Sequence, residues 1–195
     1  MTASSSTPPA SSSSSSLPVV IVLAAGRGER FAASGGKTHK LAALLAGQTV
    51  LAHVMAAVEA SGLPHHVVQP DASRPGMGDS IAAGVRATAG APGWLILPAD
   101  LPLVRGETLR QVALAPASGA LVPLYQGQRG HPVRFSSACG PALADLKGNQ
   151  GAAPVLRAQE AINSVAFLAL DDVGIVIDVD TVEDLARAEV LLAAR

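Results

Sequence analysis

The chain has 195 residues, of which 49% are hydrophobic, and a formal net charge of −1. This length allows one domain with a sizeable core, and the near-neutral charge argues against non-specific binding to nucleic acid or to an anionic membrane. Aromatic residues make up only 3%, so stacking on unpaired bases is not expected. The single cysteine, Cys139, excludes a disulfide framework or a thiolate metal cluster and is typical of a reducing compartment.

The first segment of the chain differs in composition from the rest. Residues 1–16 are Ser-rich and uncharged, which predicts a disordered tail ahead of one domain over 17–195. No basic residue precedes Arg27, and the first apolar run is about eight residues long, so the sequence predicts neither a secretory signal nor a membrane span. We therefore expect a cytoplasmic protein.

Apolar runs and helical patterns alternate along the remaining chain. The predicted strands cover 17–24, 65–69, 94–100, 119–125, 165–170 and 174–180. The predicted helices cover 49–62, 76–90, 107–115, 137–147, 152–161 and 181–195, the first with Thr49 as N-cap and Gly62 just past its end. The Gly-rich stretch 126–136 predicts a hairpin or an antiparallel edge strand.

This alternation predicts the fold class and the position of a ligand site. It is typical of an α/β protein with a three-layer α/β/α sandwich and a mostly parallel sheet. In such sheets ligands bind beyond the carboxyl ends of the strands. Because Gly26, Asp100 and Asp180 all lie at predicted strand ends, we expect them to meet in one cleft.

The loop after the first strand reads LAAGRGERFAASGGKTHK, residues 23–40. A dinucleotide fingerprint requires its third glycine at the position of Phe31, and a P-loop ending in GGKT requires its first glycine there, so both motifs fail. The backbone N–H groups after Gly26 can instead form an anion nest, with Arg30 adding a charged fork and Lys40 a second cation. The loop is thus predicted to wrap a triphosphate.

The same loop is similar to the nucleotidyltransferase signature L-A-A-G-x-G-x-R, which is followed by a lysine before an apolar stretch. The matching residues are Leu23, Ala24, Ala25, Gly26, Gly28 and Arg30. Lys40 fits the signature lysine by its context, and Lys37 is the alternative.

Four later segments carry the resemblance across most of the chain. They are GMGDSIAAGVRA (76–87), LPADLPLV (97–104), GHPVRFS (130–136) and DVDTVEDL (178–185). With the loop, they resemble the MobA-like NTP transferases, particularly the molybdenum cofactor cytidylyltransferase branch. The resemblance implies a Rossmann-like fold of the nucleotide-diphospho-sugar transferase type.

The resemblance also implies a reaction and its reactants. A nucleoside monophosphate would pass from an NTP to the phosphate of molybdopterin or its molybdenum form, with release of pyrophosphate. Ala25, where the guanylyl branch usually has glycine, favours CTP over GTP. Magnesium, with manganese as an alternative, would be the cofactor, and a molybdoenzyme or its chaperone would receive the product.

The roles implied for individual residues follow from the same match. The catalytic residues would be Arg30, Lys40 and Asp100, and the nucleotide would contact Leu23, Ala24, Ala25, Gly26, Gly28, Arg30, Lys40, Gly76, Ser80 and Asp100. Asp100 and Asp180 would bind the metal, with Asp178 as the alternative to Asp180. His131 would line the acceptor site.

One stretch departs from the branch pattern G-D-x-G-A-R in the acceptor half. Here GNQGAAP places Asn149 at the aspartate and Ala153 at the arginine, while Arg157 follows one turn later as a possible substitute. These losses leave three alternatives open: a GTP-using guanylyltransferase, a sugar- or polyol-phosphate nucleotidyltransferase, and a non-catalytic nucleotide-binding protein.

Overall fold

The computed structural model describes residues 17–71, 73 and 76–195; the predicted tail at 1–16 lies outside them. The strands are β1 Val19–Leu23, β2 Leu44–Leu45, β3 Gln48–Thr49, β4 His65–Val68, β5 Gly93–Pro98, β6 Ala120–Tyr125, β7 Gln128–Arg129, β8 Val133–Ser136 and β9 Val165–Ala169. The helices are α1 Glu29–Ala33, α2 Val50–Ser61, α3 Met77–Ala87, α4 Gly106–Leu114, α5 Gly140–Ala144, α6 Ala153–Ala161 and α7 Val182–Ala193. Short 3-10 turns cover Lys40–Ala42, Ser137–Cys139, Gly148–Gln150 and Val173–Ile175.

The main sheet is mixed but mostly parallel, as the sequence predicts. Its order is β4-β1-β5-β8-β6, and both β7 and β9 also pair with β6. Strand β1 is parallel to β4 and β5, and β9 is parallel to β6. Strands β2 and β3 form a separate antiparallel pair.

Two hydrophobic clusters divide the core into layers, one on each face of the sheet. In β1, Val20 and Val22 belong to one cluster, whereas Ile21 between them belongs to the other. The first cluster includes residues of α2, α4 and α7, and the second includes residues of α3, α5 and α6. Burial on both faces explains why β1 reads as a continuous apolar run, and it confirms the three-layer arrangement.

Local signals set the ends of the predicted helix α2. The Thr49 hydroxyl accepts a hydrogen bond from the Ala52 amide at 3.1 Å, and Gly62 ends the helix with φ 67°. Both match the predicted caps. No helix in the part of the chain that the structure describes is long and apolar enough to cross a membrane.

The segment after β6 agrees with one of the two predicted alternatives, a hairpin or an antiparallel edge strand. Strand β8 is antiparallel, but it lies inside the sheet and pairs with both β5 and β6. Phe135 is 0% exposed there, because the strand is covered on both sides. The edge-strand alternative is therefore wrong for β8, whereas the hairpin alternative is confirmed, because β7 pairs antiparallel with β6 directly after the turn at 126–127.

The predicted strand at 174–180 is also wrong. Gly174 packs directly on the backbone of Leu103, where a Cβ would lie 2.0 Å from the carbonyl oxygen, and the segment starts as a 3-10 turn. Its hydrogen bonds then go to loops: Val179 N–H donates to the Asp100 carbonyl at 2.9 Å, and His131 N–H donates to the Ile175 carbonyl at 2.9 Å. The segment consequently crosses the carboxyl ends of the strands.

Candidate functional site

A cleft of about 900 Å³ opens beyond the carboxyl ends of β1 and β5. Eleven of the predicted site residues line it: Leu23, Ala25, Gly26, Gly28, Arg30, Lys40, Gly76, Ser80, Asp100, His131 and Asp180. The charged residues of its lining are Arg27, Arg30, Lys40 and Arg129 on the basic side, and Glu29, Asp100, Asp178 and Asp180 on the acidic side. The predicted convergence of distant strand ends and loops on one cleft is therefore present.

Two residues of the glycine-loop region lie away from the cleft lining. Ala24 is 3% exposed in the core, and its N–H donates to the Val68 carbonyl at 3.0 Å, so it joins β1 to β4 rather than facing a nucleotide. Lys37 is exposed and is not part of the lining, whereas Lys40 is. The structure therefore places Lys40, and not its alternative, in the cleft.

Lys40 lies at the centre of the charged cluster. It is 8% exposed, and its Nζ donates to Asp100 Oδ2 at 2.7 Å and to Asp180 Oδ1 at 2.6 Å. Burial opposes the charge of the ammonium group, but the two carboxylates outweigh it and raise the pKa of Lys40. The lysine is therefore a fixed positive charge at neutral pH.

The loop that carries Lys40 is closed on itself. Lys40 begins a 3-10 turn whose N-cap is His39, and His39 Nε2 lies 2.8 Å from the carbonyl oxygen of Gly26. Gly28 has φ 67°, a left-handed conformation that glycine adopts without strain. The glycine pair and the lysine are thus brought together although the loop between them is long.

Asp180 is held between two cations. Arg30 Nη1 donates to its Oδ2, opposite the oxygen that Lys40 contacts. Burial would raise the pKa of Asp180, but Lys40 and Arg30 together lower it. The backbone is fixed as well, since the Asp184 carboxylate accepts from the amides of Asp180 at 3.2 Å and Thr181 at 2.9 Å.

A divalent cation site requires carboxylate oxygens that converge on one point, and Asp100 and Asp180 provide two of them. Oxygens of Asp100 and Asp180 converge on one positively charged atom, Lys40 Nζ. Within the described residues, no group of three or more His, Cys, Asp or Glu side chains could hold a metal ion. Mg²⁺ is commonly bound by one or two carboxylates together with substrate phosphates, so a two-aspartate donor set fits that ion.

The opposite wall of the cleft is built from two turns in close contact. A Cβ on Gly76 would lie 2.2 Å from the Gly148 carbonyl oxygen, so only glycine fits at that position. Asp79 Oδ2 accepts from the Gly76 amide at 3.2 Å and from the Gly148 amide at 3.0 Å. The Ser80 hydroxyl donates to the Gly76 carbonyl at 3.2 Å. These contacts fix the predicted base-side turn against the 148–150 segment.

His131 lines the same cleft and carries a buried polar atom. Its Nδ1 has no hydrogen-bond partner among the described residues. Burial lowers the pKa of His131, with Asp100 opposing, so the imidazole is neutral at neutral pH. An unpartnered buried nitrogen is unfavourable.

Comparison with known proteins identifies the family. Residues 20–162 match the MobA-like NTP transferase domain. The chain belongs to the MobA-like NTP transferase family. This membership confirms the resemblance found in the sequence and identifies the chain as a nucleotidyltransferase at the family level.

Individual relatives and solved structures agree with the family. The purine catabolism protein PucB of Bacillus subtilis is 40% identical over 122 residues, which are 61% of this chain and 58% of PucB, so the chain spans less than two thirds of that relative. A nucleotidyl transferase from Methanothermobacter, Mth528, is 22% identical with a TM-score of 0.75 over 92% of this chain and 99% of its own. Rv0371c from Mycobacterium tuberculosis is 26% identical with a TM-score of 0.66 over 88% of this chain and 97% of its own. These structures share the α/β fold.

The departures of this MobA-like chain lie on the acceptor side. Asn149 lines the cleft, but neither Ala153 nor Arg157 is part of the lining. Arg157 Nη2 instead lies 3.5 Å from Gln150 Oε1. The suggestion that Arg157 replaces the missing arginine therefore has no support from its position.

Sequence reasoning missed three charged residues of the lining, Arg27, Glu29 and Arg129, and gave Asp178 only a secondary place. Arg129 was not singled out, although it directly precedes the GHPVRFS motif. Asp178 is the predicted alternative to Asp180 as a metal ligand. A strand would direct these two side chains to opposite faces, but no strand forms here and both line the cleft. Burial, followed by the charges of Asp100 and Asp180, raises the pKa of Asp178.

Proposed function

We propose that the protein transfers CMP from CTP to the phosphate of molybdopterin or its molybdenum form. An oxygen of the acceptor phosphate attacks the α-phosphorus, the bond from that phosphorus to the bridging β-phosphate oxygen breaks, and pyrophosphate leaves. The observation that carries the proposal is the buried Lys40 between Asp100 and Asp180, beside Arg30 at the glycine loop. These groups are the cations and carboxylates that phosphoryl chemistry requires.

Each residue has a defined task in this reaction. Lys40 and Arg30 offset the negative charge that develops on the α-phosphate and the departing pyrophosphate. Amides of the loop from Gly26 to Arg30 hold the β- and γ-phosphates. The acceptor phosphate is already ionised, so no strong general base is needed, and the main task of the cleft is to hold donor and acceptor in line.

Asp100 and Asp180 would hold a divalent cation together with the donor's phosphates. Such an ion supplies Lewis-acid polarisation of the phosphate oxygens. Magnesium is the proposed ion and manganese the alternative; Rv0371c has also been solved as a complex with manganese. The turn Gly76–Ser80 faces the base, and His131 faces the acceptor. A molybdoenzyme or its chaperone is the proposed recipient of the product.

Another acceptor is favoured by one specific observation. Asn149 and Ala153 are uncharged where the cytidylyltransferase branch carries an aspartate and an arginine. Transfer to a sugar or polyol phosphate would use the same donor half of the cleft for the NTP, and GTP could occupy that half in place of CTP. These alternatives differ from the main proposal only in which substrates support release of pyrophosphate.

The deciding experiment measures pyrophosphate release from each of the four common NTPs with Mg²⁺ or Mn²⁺. Each mixture is tested without acceptor, with molybdopterin and with a set of sugar and polyol phosphates. We expect release only with CTP and molybdopterin together. Release with a sugar phosphate alone would replace the acceptor, release with GTP alone would replace the donor, and no release with any combination would overturn the enzymatic proposal.

A matched pair of lysine variants links the activity to the described site. Lys40→Ala removes the buried ammonium group, and we expect it to lower kcat by at least about 100-fold, because electrostatic groups at developing charge commonly contribute that much. Lys37→Ala removes the same charge from an exposed position in the same loop and should keep the wild-type rate. Equal loss in both variants would refute the assignment of Lys40.

A further inference from the structure

Arg129 is a cation of the cleft wall that the donor half of the proposed reaction does not use. It lies in β7 and lines the cleft together with His131, two residues later. Its Nη1 donates to Glu160 Oε1 at 2.7 Å, and its guanidinium carbon lies 5.3 Å from the centre of the Phe167 ring. Two side chains from other elements, neither of them part of the cleft lining, therefore hold the guanidinium group of a residue that lines the cleft.

The chemistry of that group favours binding of an anion. A guanidinium has five N–H donors in a planar fork, and the bond to Glu160 uses one nitrogen. Contact with an aromatic ring restrains the plane of the group, so less freedom is lost when its remaining donors bind a ligand. Phosphate oxygens match this fork in geometry and charge.

The backbone beside Arg129 is also fixed. Gly130 lies directly on Ile175, where a Cβ would come within 2.6 Å of the carbonyl oxygen, and its N–H donates to the Pro123 carbonyl at 2.9 Å. The next amide, that of His131, donates to the Ile175 carbonyl at 2.9 Å. Arg129 and His131 are therefore parts of one rigid wall.

The charge balance of the acceptor half points to the same residue. Ala153 stands where the related branch carries an arginine, and Arg157 contacts Gln150 outside the cleft lining. Helix α6 begins at Ala153, and near its other end Glu160 forms an ion pair with Arg129. The start of this helix therefore carries no arginine, and Arg129 lies beside its far end.

We infer that Arg129, held by Glu160 and Phe167, binds the phosphate of the acceptor. This inference rests on the proposed nucleotidyl transfer, since it names the group that holds the second substrate of that reaction. It also assigns the site a requirement: the acceptor must carry a phosphate or an equivalent dianion, because a neutral alcohol gains no charge-assisted bond from the remaining guanidinium donors.

The test measures binding and kinetics separately, with molybdopterin as the probe. In Arg129→Gln we expect the Kd for molybdopterin to rise by about tenfold or more, while the Kd for CTP stays within about twofold. Arg129→Lys keeps the charge without the planar fork and should give an intermediate Kd. Arg157→Gln is the matched control, because it removes an arginine of helix α6 that lies outside the cleft lining, and its Kd values should equal those of the wild type.

The outcomes separate this inference from the proposed function. An unchanged Kd for molybdopterin in Arg129→Gln would overturn the inference, and so would an equal loss of CTP binding. If the wild type binds molybdopterin in an Arg129-dependent manner but releases no pyrophosphate, the inference stands and the proposed reaction fails. Thermal unfolding of each variant checks that the change is local. Glu160→Gln leaves Arg129 in place and should raise the Kd for molybdopterin by a smaller factor than Arg129→Gln does.

Discussion

Replacement of Lys40 by methionine removes the charge at the centre of the site while keeping much of the side-chain volume. Loss of one partner from a buried ion pair typically costs about 3–5 kcal/mol, because the other charge remains unpaired. The carboxylates of Asp100 and Asp180 are 19% and 22% exposed, and Arg30 still pairs with Asp180, so solvent and this cation offset part of the cost. We therefore expect Lys40→Met to lower the free energy of unfolding by about 2–3 kcal/mol.

The assay is thermal and urea unfolding at neutral pH and low divalent cation, with Lys37→Met as the exposed control. For a domain of this size the expected loss lowers Tm by about 4–12 °C. The pKa of Lys40 is raised in the folded protein, so its stabilising contribution is present at neutral pH and is lost only as alkaline pH passes the raised value. The pKa of Asp180 is lowered, so its contribution is lost only in acid, and neutral pH lies between the two transitions.

Added Mn²⁺ provides the second arm of the same experiment. With the ammonium group removed, the carboxylates of Asp100 and Asp180 are left for the ion, and a concentration about 100 times its Kd stabilises the folded state by about 2.7 kcal/mol. We expect Mn²⁺ to raise the Tm of Lys40→Met more than that of the wild type. A variant as stable as the wild type, or one that gains no more from Mn²⁺, would refute this account of the cluster.

Two further predictions concern groups outside the cleft. Asp172 is 1% exposed and accepts hydrogen bonds from Arg105 N, Gly174 N and Thr108 Oγ1. Asp172→Ala should therefore lower the free energy of unfolding, measured in urea, by about 3–5 kcal/mol. A loss below about 1 kcal/mol would contradict the role of Asp172 as an anchor. Cys139 is 2% exposed and burial raises the pKa of its thiol, so a disulfide reagent at mildly alkaline pH should label the native protein at least about 100-fold more slowly than the urea-unfolded chain. Rapid labelling of the native protein would show that the site opens and would contradict this prediction. The stabilisation that goes with the raised pKa of Cys139 is present below the ordinary thiol pKa and is lost as pH rises through the folded value.

The parts of the fold that the sequence predicts are those set by nearby residues. The apolar run of β1, the Thr49 and Gly62 caps of α2, and the glycine turn before α3 depend on a few consecutive positions, and all agree with the structure. The position of β8 depends on pairing with strands far away in sequence, which alternation cannot indicate. The segment 174–180 has a strand-like apolar pattern, but the contact of Gly174 with Leu103 prevents a strand.

The residues of the candidate site also differ in whether nearby sequence could indicate them. The glycine loop, Lys40 and Asp100 could be located because each lies in a motif at the end of a strand, and the structure brings them to one cleft. Arg129 could not, since the contact that marks it is with Glu160, 31 residues away, and with the ring of Phe167. Asp180 was placed in the cleft for the wrong reason, because no strand leads to it.

The path of the chain over the strand ends affects how a minimal fragment of this protein must be chosen. The region that matches the family ends at residue 162, yet Asp180 lies beyond it and reaches the cleft through the anchored turn at Asp172. A fragment cut at that boundary would keep Lys40 and Asp100 but would lose Asp180, the second carboxylate on Lys40, together with β9 and α7. The unit that can carry the site is therefore larger than the region by which the family is recognised.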